Sequence, residues 1–209
     1  MSIRNLILPA AFSLVLMVTG MSGVNAQRIE ISPFAGYETG ATLYTSLGYL
    51  YIKDGMDYGV NADFRLGAGN RFLEVSFSHM MTELNIDEGY NEVYVCDLGV
   101  NYYSLGLLQE TKPLGRFTPY GLFSLGVVNY KPQDTDISGE NKMHFSLAGG
   151  IRIKATDRIG IRLQARLLMP VMYAGTYFSG GTGGADMSVS ATSVAFQGDF
   201  TAALVFAIR

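Results

Sequence analysis

The sequence predicts an all-β fold, an eight-stranded antiparallel up-and-down transmembrane β-barrel, and three observations support that prediction. Apolar and polar side chains alternate along eight segments of the chain. The charged residues inside those segments lie on the polar face. After residue 27 the longest run of strictly apolar residues is the seven of 202–208, whereas a membrane helix needs about 20.

The composition fits short strands and turns better than helices. The 209 residues include 25 glycine, 13 tyrosine and 12 phenylalanine, and aromatic residues favour strands. With 48% hydrophobic and 16% charged residues, the chain is too apolar to be disordered. Its formal net charge of −3 gives no overall basic footprint for nucleic acid.

Residues 1–26 are predicted to be a secretory signal peptide and 27–209 the barrel. Arg4 supplies the positive start, 6–18 an apolar stretch, and a Val-Asn-Ala sequence ending at Ala26 the cleavage site. An uncleaved membrane anchor is the alternative. The only cysteine, at position 96, has no partner for an internal disulfide.

Strands that cross a bacterial outer membrane alternate residue by residue, with apolar side chains toward lipid and polar side chains toward the lumen. This alternation predicts eight strands, at 28–37, 57–66, 72–81, 93–104, 118–130, 145–154, 159–171 and 194–208. In the fourth segment the predicted outward set is Tyr94, Cys96, Leu98, Val100 and Tyr102, with Asp97 and Asn101 inward. The two faces of 118–130 are equally apolar, so its facing is not predicted.

The connections between these strands also alternate in length, as outer-membrane barrels require. Those predicted at the periplasmic end are 67–70, 107–117 and 156–158, and those at the extracellular end are 38–56, 82–91, 131–141 and 173–192. Residues 43–53 resemble another strand. Because nine crossing strands would put the termini on opposite sides, we interpret them as the upper part of the first hairpin.

Ten charged residues, five acidic and five basic, are predicted to face the lumen. They are Glu30, Asp63, Arg65, Glu74, Asp97, Arg152, Lys154, Arg162, Arg166 and Asp199. An eight-stranded barrel is only wide enough for side chains to fill it, and a buried charge must be paired. We therefore predict an ion-pair network that closes the lumen. The alternative is a soluble β-sandwich whose polar residues face water.

Aromatic residues cluster near the ends of the segments, which predicts two girdles at the membrane interfaces. The extracellular girdle is predicted to contain Tyr37, Tyr58, Tyr94, Tyr130 and Tyr173, and the periplasmic girdle Phe64, Phe72, Tyr102, Tyr120 and Phe206. The alternative is that aromatic residues are simply common in strands.

Segments 31–37, 118–126, 145–151 and 155–163 resemble the outer membrane protein β-barrel domain family, related to the barrel of outer membrane protein A, in the style of Bacteroidetes-type bacteria. The resemblance implies a barrel in the outer membrane and no catalytic residues. We expect no peptidoglycan-binding domain, and the chain lacks the terminal aromatic residue common in proteobacterial barrels.

Few residues suggest chemistry. His144 and Ser146 have the H-x-S spacing of outer-membrane lipid A deacylases, but their parity is inward, whereas those enzymes work on the lipid face. His79 has outward parity. We predict no catalytic residue, cofactor or metal, and we interpret the glycine-rich 180–184 as a loop, not a phosphate cradle.

Three functions remain open from the sequence. The first is a structural, adhesive or interaction role through extracellular loops. The second is a small pore or hydrophobic-ligand transporter, and the third, a lipid A-modifying enzyme. The expected partners are outer-membrane lipid, lipopolysaccharide and the barrel-assembly machinery, and we expect a monomer.

Overall fold

A computed structural model describes residues 28–45, 48–87, 92–133, 139–181, 184–194 and 196–208. The predicted signal peptide lies outside these residues. The strands are β1 (Ile29–Glu38), β2 (Ala41–Thr45), β3 (Gly48–Ile52), β4 (Gly55–Arg65), β5 (Arg71–Asp87), β6 (Glu92–Glu110), β7 (Phe117–Pro132), β8 (Glu140–Lys154), β9 (Ile159–Gly181), β10 (Gly184–Val194) and β11 (Gln197–Ile208). No helix in the part of the chain described is long and apolar enough to cross a membrane.

Eight of these strands close into one antiparallel barrel, which confirms the predicted fold. Its order is β1, β4, β5, β6, β7, β8, β9 and β11, and β11 pairs again with β1. Both ends of the barrel sequence, Ile29 and Ile208, pair with each other at the end that carries the short turns. In an outer-membrane barrel that end is periplasmic.

The strands are strongly staggered around the barrel. Glu30 is level with Asp63 and Glu74 on the next two strands, and the register then continues to Gln197 on β11. Gln197 lies beside Thr39, nearly the whole length of β1 above Glu30. The strands are therefore tilted, as closure of a barrel requires.

Several strands are longer than a membrane needs. About 9–11 tilted residues cross a bilayer. β5, β6 and β9 have 17, 19 and 23 residues, so their outer halves stand above the membrane. Residues 173–181 and 184–192, predicted to be part of a connection, belong to β9 and β10, which pair with each other. The prediction was wrong because these residues continue the sheet outside the bilayer, where hydrophobicity no longer marks a strand.

Residues 43–45 and 48–53 do not cross the membrane. They belong mainly to the β2–β3 hairpin, whose second strand pairs with the outer end of β5 from Leu50 to Ile52. At the other end of the barrel the turns are short, and two of them contain Gly67 and Gly115 with φ of 66°. That left-handed conformation is one that glycine adopts without strain.

The alternating burial of the barrel strands matches the predicted facing, except in β6. There Cys96, Leu98, Val100 and Tyr102 are buried in the barrel, and Asp97 is exposed. The prediction of these facings was wrong because it assigned the apolar residues to lipid, whereas the interior at this level is itself apolar. In β7, whose facing was not predicted, Leu122 and Val128 point inward, and the outward positions include Phe123, Leu125 and Val127.

The outer wall of the barrel is apolar. Large hydrophobic side chains are exposed on every barrel strand, among them Val60, Val75, Leu105, Leu125, Leu147, Leu163 and Leu204. Soluble monomers rarely expose an apolar surface of this extent. The wall therefore faces lipid.

Candidate functional site

Charged side chains from six strands meet in the lower part of the lumen. We call this the lower cluster; it consists of Glu30, Asp63, Glu74 and Glu110 with Arg28, Arg152 and Arg162. The register explains the meeting, because three of the acids are neighbours on β1, β4 and β5, and two of the arginines are neighbours on β8 and β9. Closing the barrel brings the acidic wall opposite the basic wall.

Every carboxylate of the lower cluster is paired with an arginine. Arg152 reaches Glu30 at 2.7 Å, Asp63 at 2.5 Å and Glu110 at 3.0 Å. Arg162 reaches Glu74 at 2.6 Å. Hydrogen bonds between ionised partners are the stronger kind, and here water is excluded from most of them. The cluster therefore ties together strands on opposite sides of the lumen.

Aromatic rings hold the two arginines in place. The guanidinium of Arg162 lies 4.8 Å from the ring centre of Tyr120 and its Nε donates to the Tyr120 hydroxyl at 2.8 Å. That hydroxyl donates in turn to Gln164 at 2.9 Å. Arg152 lies 4.9 Å from the ring centre of Phe72. These cation–π contacts fix the direction of both side chains.

A second charged group lies higher in the lumen. We call it the upper cluster; it consists of Glu38, Asp57 and Asp199 with Arg166, all of them buried. Arg166 Nε donates to Asp199 at 2.7 Å. The hydroxyl of Tyr102 lies 3.0 Å from Glu38 Oε1 and 3.0 Å from the side-chain oxygen of Gln197.

The upper cluster contains more acid than it can pair. Both carboxylate oxygens of Asp57, together with Glu38 Oε2 and Asp199 Oδ1, have no hydrogen-bond partner among the described residues. Only the Asp199 carboxylate forms an ion pair with Arg166. Buried carboxylates without partners are costly, so this cluster holds the barrel together less firmly than the lower one.

Apolar side chains close the lumen at its extracellular end. Met80, Val100, Val128 and Leu168 are fully buried and belong to one hydrophobic cluster. Ile52 of the β2–β3 hairpin belongs to the same cluster, so the hairpin packs onto the mouth of the barrel. The lumen is thus filled by charges below and by apolar side chains above.

His144 and Ser146, the H-x-S pair, lie inside the barrel and are buried. His144 Nε2 is 3.0 Å from the hydroxyl of Ser104, and the hydroxyl of Ser146 is 2.5 Å from that of Ser124. The other ring nitrogen of His144 has no hydrogen-bond partner within the described ranges, so no acid orients the ring there. The pair is a polar layer of the interior, away from lipid.

His79 faces outward, as its parity predicts. Its ring hydrogen-bonds to Asn101 at 2.7 Å and lies edge-on to Tyr58 at 5.3 Å between ring centres. Among the residues placed by the structure, no group of three or more His, Cys, Asp or Glu could hold a metal ion.

No protein-family model matches the sequence, and comparison with curated proteins finds no match. Solved structures share the fold. Outer membrane protein OprG from Pseudomonas aeruginosa has a TM-score of 0.64 at 9% identity, over 90% of this chain and 98% of that one. Neisserial surface protein A has a TM-score of 0.58 at 13% identity, over 85% and 96%. Outer membrane protein AlkL, solved in lipid bilayers, has a TM-score of 0.53 at 11% identity, over 90% and 93%.

The protein has the fold of the outer-membrane β-barrels. The closed eight-stranded sheet, its apolar exterior and its charged interior all agree with that identification. At these low identities the likeness concerns the fold, so the residues of the site are interpreted from their own geometry.

Within this outer-membrane barrel, seven of the ten residues predicted for the lumen lie inside and are buried. They are Glu30, Asp63, Glu74, Arg152, Arg162, Arg166 and Asp199. The other three are not part of the buried ion-pair network, and for Asp97 the predicted facing was wrong. Asp97 is exposed and accepts a hydrogen bond from Tyr94 at 3.0 Å, because β6 has the opposite facing. Lys154, the last residue of β8, is exposed at the rim and pairs with Asp157 at 2.9 Å. Arg65 lies 5.9 Å from the ring centre of the buried Phe72 and donates to the carbonyl of Gly69 at the mouth.

Sequence reasoning missed four lumen acids and bases. Glu38 and Glu110 lie one and six residues beyond the predicted strand ends, because the real strands are longer. Asp57 is the first residue of its predicted segment, and its inward parity in the sequence could have identified it as a lumen residue. Arg28, at the first position of its segment, reaches Glu30 at 2.8 Å.

The predicted girdles are only partly correct. Tyr37, Tyr58, Tyr94, Phe64 and Phe206 lie on the outer face. Phe72, Tyr102, Tyr120 and Tyr130 are buried in the lumen instead, so these predictions were wrong. Inside the lumen these rings fill space, pack against arginines and donate hydroxyl hydrogen bonds. The position of an aromatic residue near a strand end does not show whether its ring faces the lumen or the membrane. The side chain of Tyr173 lies outside the described residues.

Proposed function

We propose that this outer-membrane barrel works through its extracellular face, as a structural, adhesive or interaction protein. The observation that carries the proposal is the contrast between a filled lumen and an elaborated outer end. A pore needs a path through the barrel, whereas an interaction protein needs only a stable platform and a shaped surface.

The filled lumen argues against transport through the barrel. The lower cluster joins opposite walls, and the apolar cluster around Met80 and Leu168 lies above it. For a solute to pass, both layers must open, and breaking a buried ion pair costs about 3–5 kcal/mol.

The outer end is built as an ordered surface. The β2–β3 hairpin is tied to β1 through Asp54, which accepts hydrogen bonds from the Gly40 amide at 2.7 Å and the Tyr37 hydroxyl at 3.0 Å. These hydrogen bonds, the one from Gly40 first, lower the pKa of Asp54. The hairpin also donates the Lys53 amide to the carbonyl of Glu83 on β5. A surface held at both sides in this way suits recognition.

Site-specific photo-cross-linking on living cells tests the proposal. A photoreactive residue is placed at Thr42 or at Glu83, both exposed near the outer end, and the matched control carries it at Leu105 on the lipid-facing wall. We expect discrete lipopolysaccharide or protein adducts at the two outer positions and only phospholipid adducts at the control. The same pattern at all three positions contradicts the proposal.

Planar-bilayer recording separates this proposal from the pore. We expect the wild-type protein to show no steady conductance, because the lower cluster and the apolar cluster fill the lumen. If the wild-type protein shows a steady conductance and Arg162→Ala increases it, the result would favour transport over the interaction role.

The lipid A-modifying enzyme has less support. Such an enzyme needs a histidine, a serine and an acid on the lipid face, whereas His144 and Ser146 are buried inside. We therefore propose that the protein is not an enzyme. Release of acyl chains from lipopolysaccharide by the purified protein would contradict this, provided that Ser146→Ala abolished it.

A further inference from the structure

The two ends of the barrel carry opposite charge. At the periplasmic end, residues 28, 65–71, 110–117 and 154–158 contain seven basic and two acidic side chains. In the connections predicted at the extracellular end, 38–56, 82–91, 131–141 and 173–192, two residues are basic and nine are acidic. The net charge of −3 hides this separation.

Most of the periplasmic cations are not neutralised by the protein itself. The two acids are already engaged, Glu110 by Arg152 and Asp157 by Lys154. Lys112, Arg116 and Arg158 are exposed and form no ion pair with any residue that the structure describes. We call these three residues the periplasmic basic rim.

Exposed apolar side chains lie directly beside the rim. Leu114, between Lys112 and Arg116 in the β6–β7 turn, is 68% exposed, and Phe117 follows Arg116. Ile159 follows Arg158 and is exposed on the outer wall. A cation next to an exposed apolar residue is the arrangement found where a bilayer meets water, because the apolar group enters the acyl region and the charge meets the headgroups.

We propose that the periplasmic basic rim binds the phosphate groups of anionic phospholipids in the inner leaflet of the outer membrane. Inorganic phosphate has the same charge chemistry, but it gives no reason for Leu114 and Phe117 to be exposed beside the cations. An anionic phospholipid accounts for both features, because its phosphate group meets the cations and its acyl chains meet the exposed apolar side chains. This proposal does not depend on the extracellular role, since it concerns the opposite end of the barrel.

Electron paramagnetic resonance with spin-labelled lipids tests the proposal. The full protein is reconstituted into phosphatidylcholine vesicles that contain a trace of spin-labelled phosphatidylglycerol or spin-labelled phosphatidylcholine, and the motionally restricted fraction is measured. At low salt we expect phosphatidylglycerol to be preferred by at least about twofold, since each cation near an anionic surface contributes to attraction. Added sodium chloride weakens the preference.

The decisive variant is Lys112→Gln/Arg116→Gln/Arg158→Gln. We expect its lipid preference to fall toward one, while heat-modifiable migration on gels shows that the barrel still folds. The matched control removes three cations from the other end, as Lys53→Gln/Lys131→Gln/Lys142→Gln, and we expect it to keep the wild-type preference. If the triple rim variant does not fold, Arg158→Gln alone is expected to give a smaller loss in the same direction.

Three results would overturn the proposal. One is a wild-type preference near one, and another is an equal loss in the rim variant and the control. The third concerns the source of the phosphate group: if sodium phosphate displaces the labelled lipid far better than sodium chloride at equal ionic strength, the rim is a site for free phosphate and not for lipid.

Discussion

The lower and upper clusters are built from the same residue types but differ in balance. In the lower cluster four carboxylates meet three arginines, and each carboxylate is ion-paired. In the upper cluster three carboxylates share Arg166, and Asp57 has no hydrogen-bond partner among the described residues. Removing one charge is therefore expected to be costly in the lower cluster, where it leaves a partner unpaired, and much less so in the upper cluster.

The difference shows that the number of charges in the lumen does not by itself predict how much they contribute to stability. Glu38 and Glu74 are both buried glutamates of the lumen, yet of the two only Glu74 forms an ion pair with an arginine, at 2.6 Å. Glu38 meets the Tyr102 hydroxyl instead. Whether a buried acid supports the fold depends on its partner, and the partner is set by the stagger of the strands.

Arg162→Ala is expected to have the largest effect. The change leaves Glu74 buried without its cation and removes the hydrogen bond to the Tyr120 hydroxyl. We expect the free energy of unfolding to fall by about 3–5 kcal/mol, measured by urea denaturation in detergent micelles. A loss below about 1 kcal/mol would mean that water reaches the lower cluster and replaces the pair.

Glu74→Gln compared with Glu38→Gln isolates the difference between the clusters. Both changes keep the shape and remove one charge. We expect Glu74→Gln to lower the free energy of unfolding by about 2–3 kcal/mol, because Arg162 loses its ionised acceptor. We expect Glu38→Gln to leave it unchanged or to raise it, because one of three crowded acids becomes neutral. Equal losses in the two urea titrations would contradict the comparison.

Gly150→Ala tests how tightly the lower cluster is packed. An added Cβ at Gly150 would clash with the backbone oxygen of Leu163 and would lie 2.5 Å from the hydroxyl oxygen of Tyr120, which holds Arg162. We expect a loss of about 1–3 kcal/mol, as for other overpacked interiors. The control is Gly149→Ala, whose Cβ would point to the outer wall and reach no atom closer than 4.0 Å. A control that loses as much stability would show that glycine is needed for the backbone and not for space.

The sequence was sufficient to predict the barrel because the bilayer acts on every strand in the same way. Alternation placed β8, β9 and β11 correctly, since the lipid face tolerates no charge there. It failed for β6, whose inner face is apolar above the charged layer, so that polarity no longer distinguished lumen from lipid. It also missed the strand extensions beyond the bilayer, where water on both sides removes the alternation.

The pairing inside the lumen was less predictable. That Arg152 and Arg162 need acids followed from their parity, but Glu110 was missed because it lies beyond the predicted strand end. The role of Tyr120 was not predictable for the same reason, since the sequence does not show whether a tyrosine lies in a girdle or hydrogen-bonds to an arginine. Which partner a side chain meets depends on the stagger around the closed sheet, and no single segment contains that information.

Glu140→Ala is expected to have the smallest effect and so fixes the baseline for the others. Glu140 is an exposed acid at the outer end of β8 and pairs with the partly buried Lys142, so the carboxylate side of the ion pair is open to water. Pairs of this kind contribute about 0–1 kcal/mol, because solvent screens them and both side chains lose freedom. We expect the free energy of unfolding, measured by urea denaturation, to fall by no more than about 1 kcal/mol. If Glu140→Ala destabilised the barrel as much as Glu74→Gln, stability would not depend on burial of the pair, and the contrast between the two clusters would lose its physical basis.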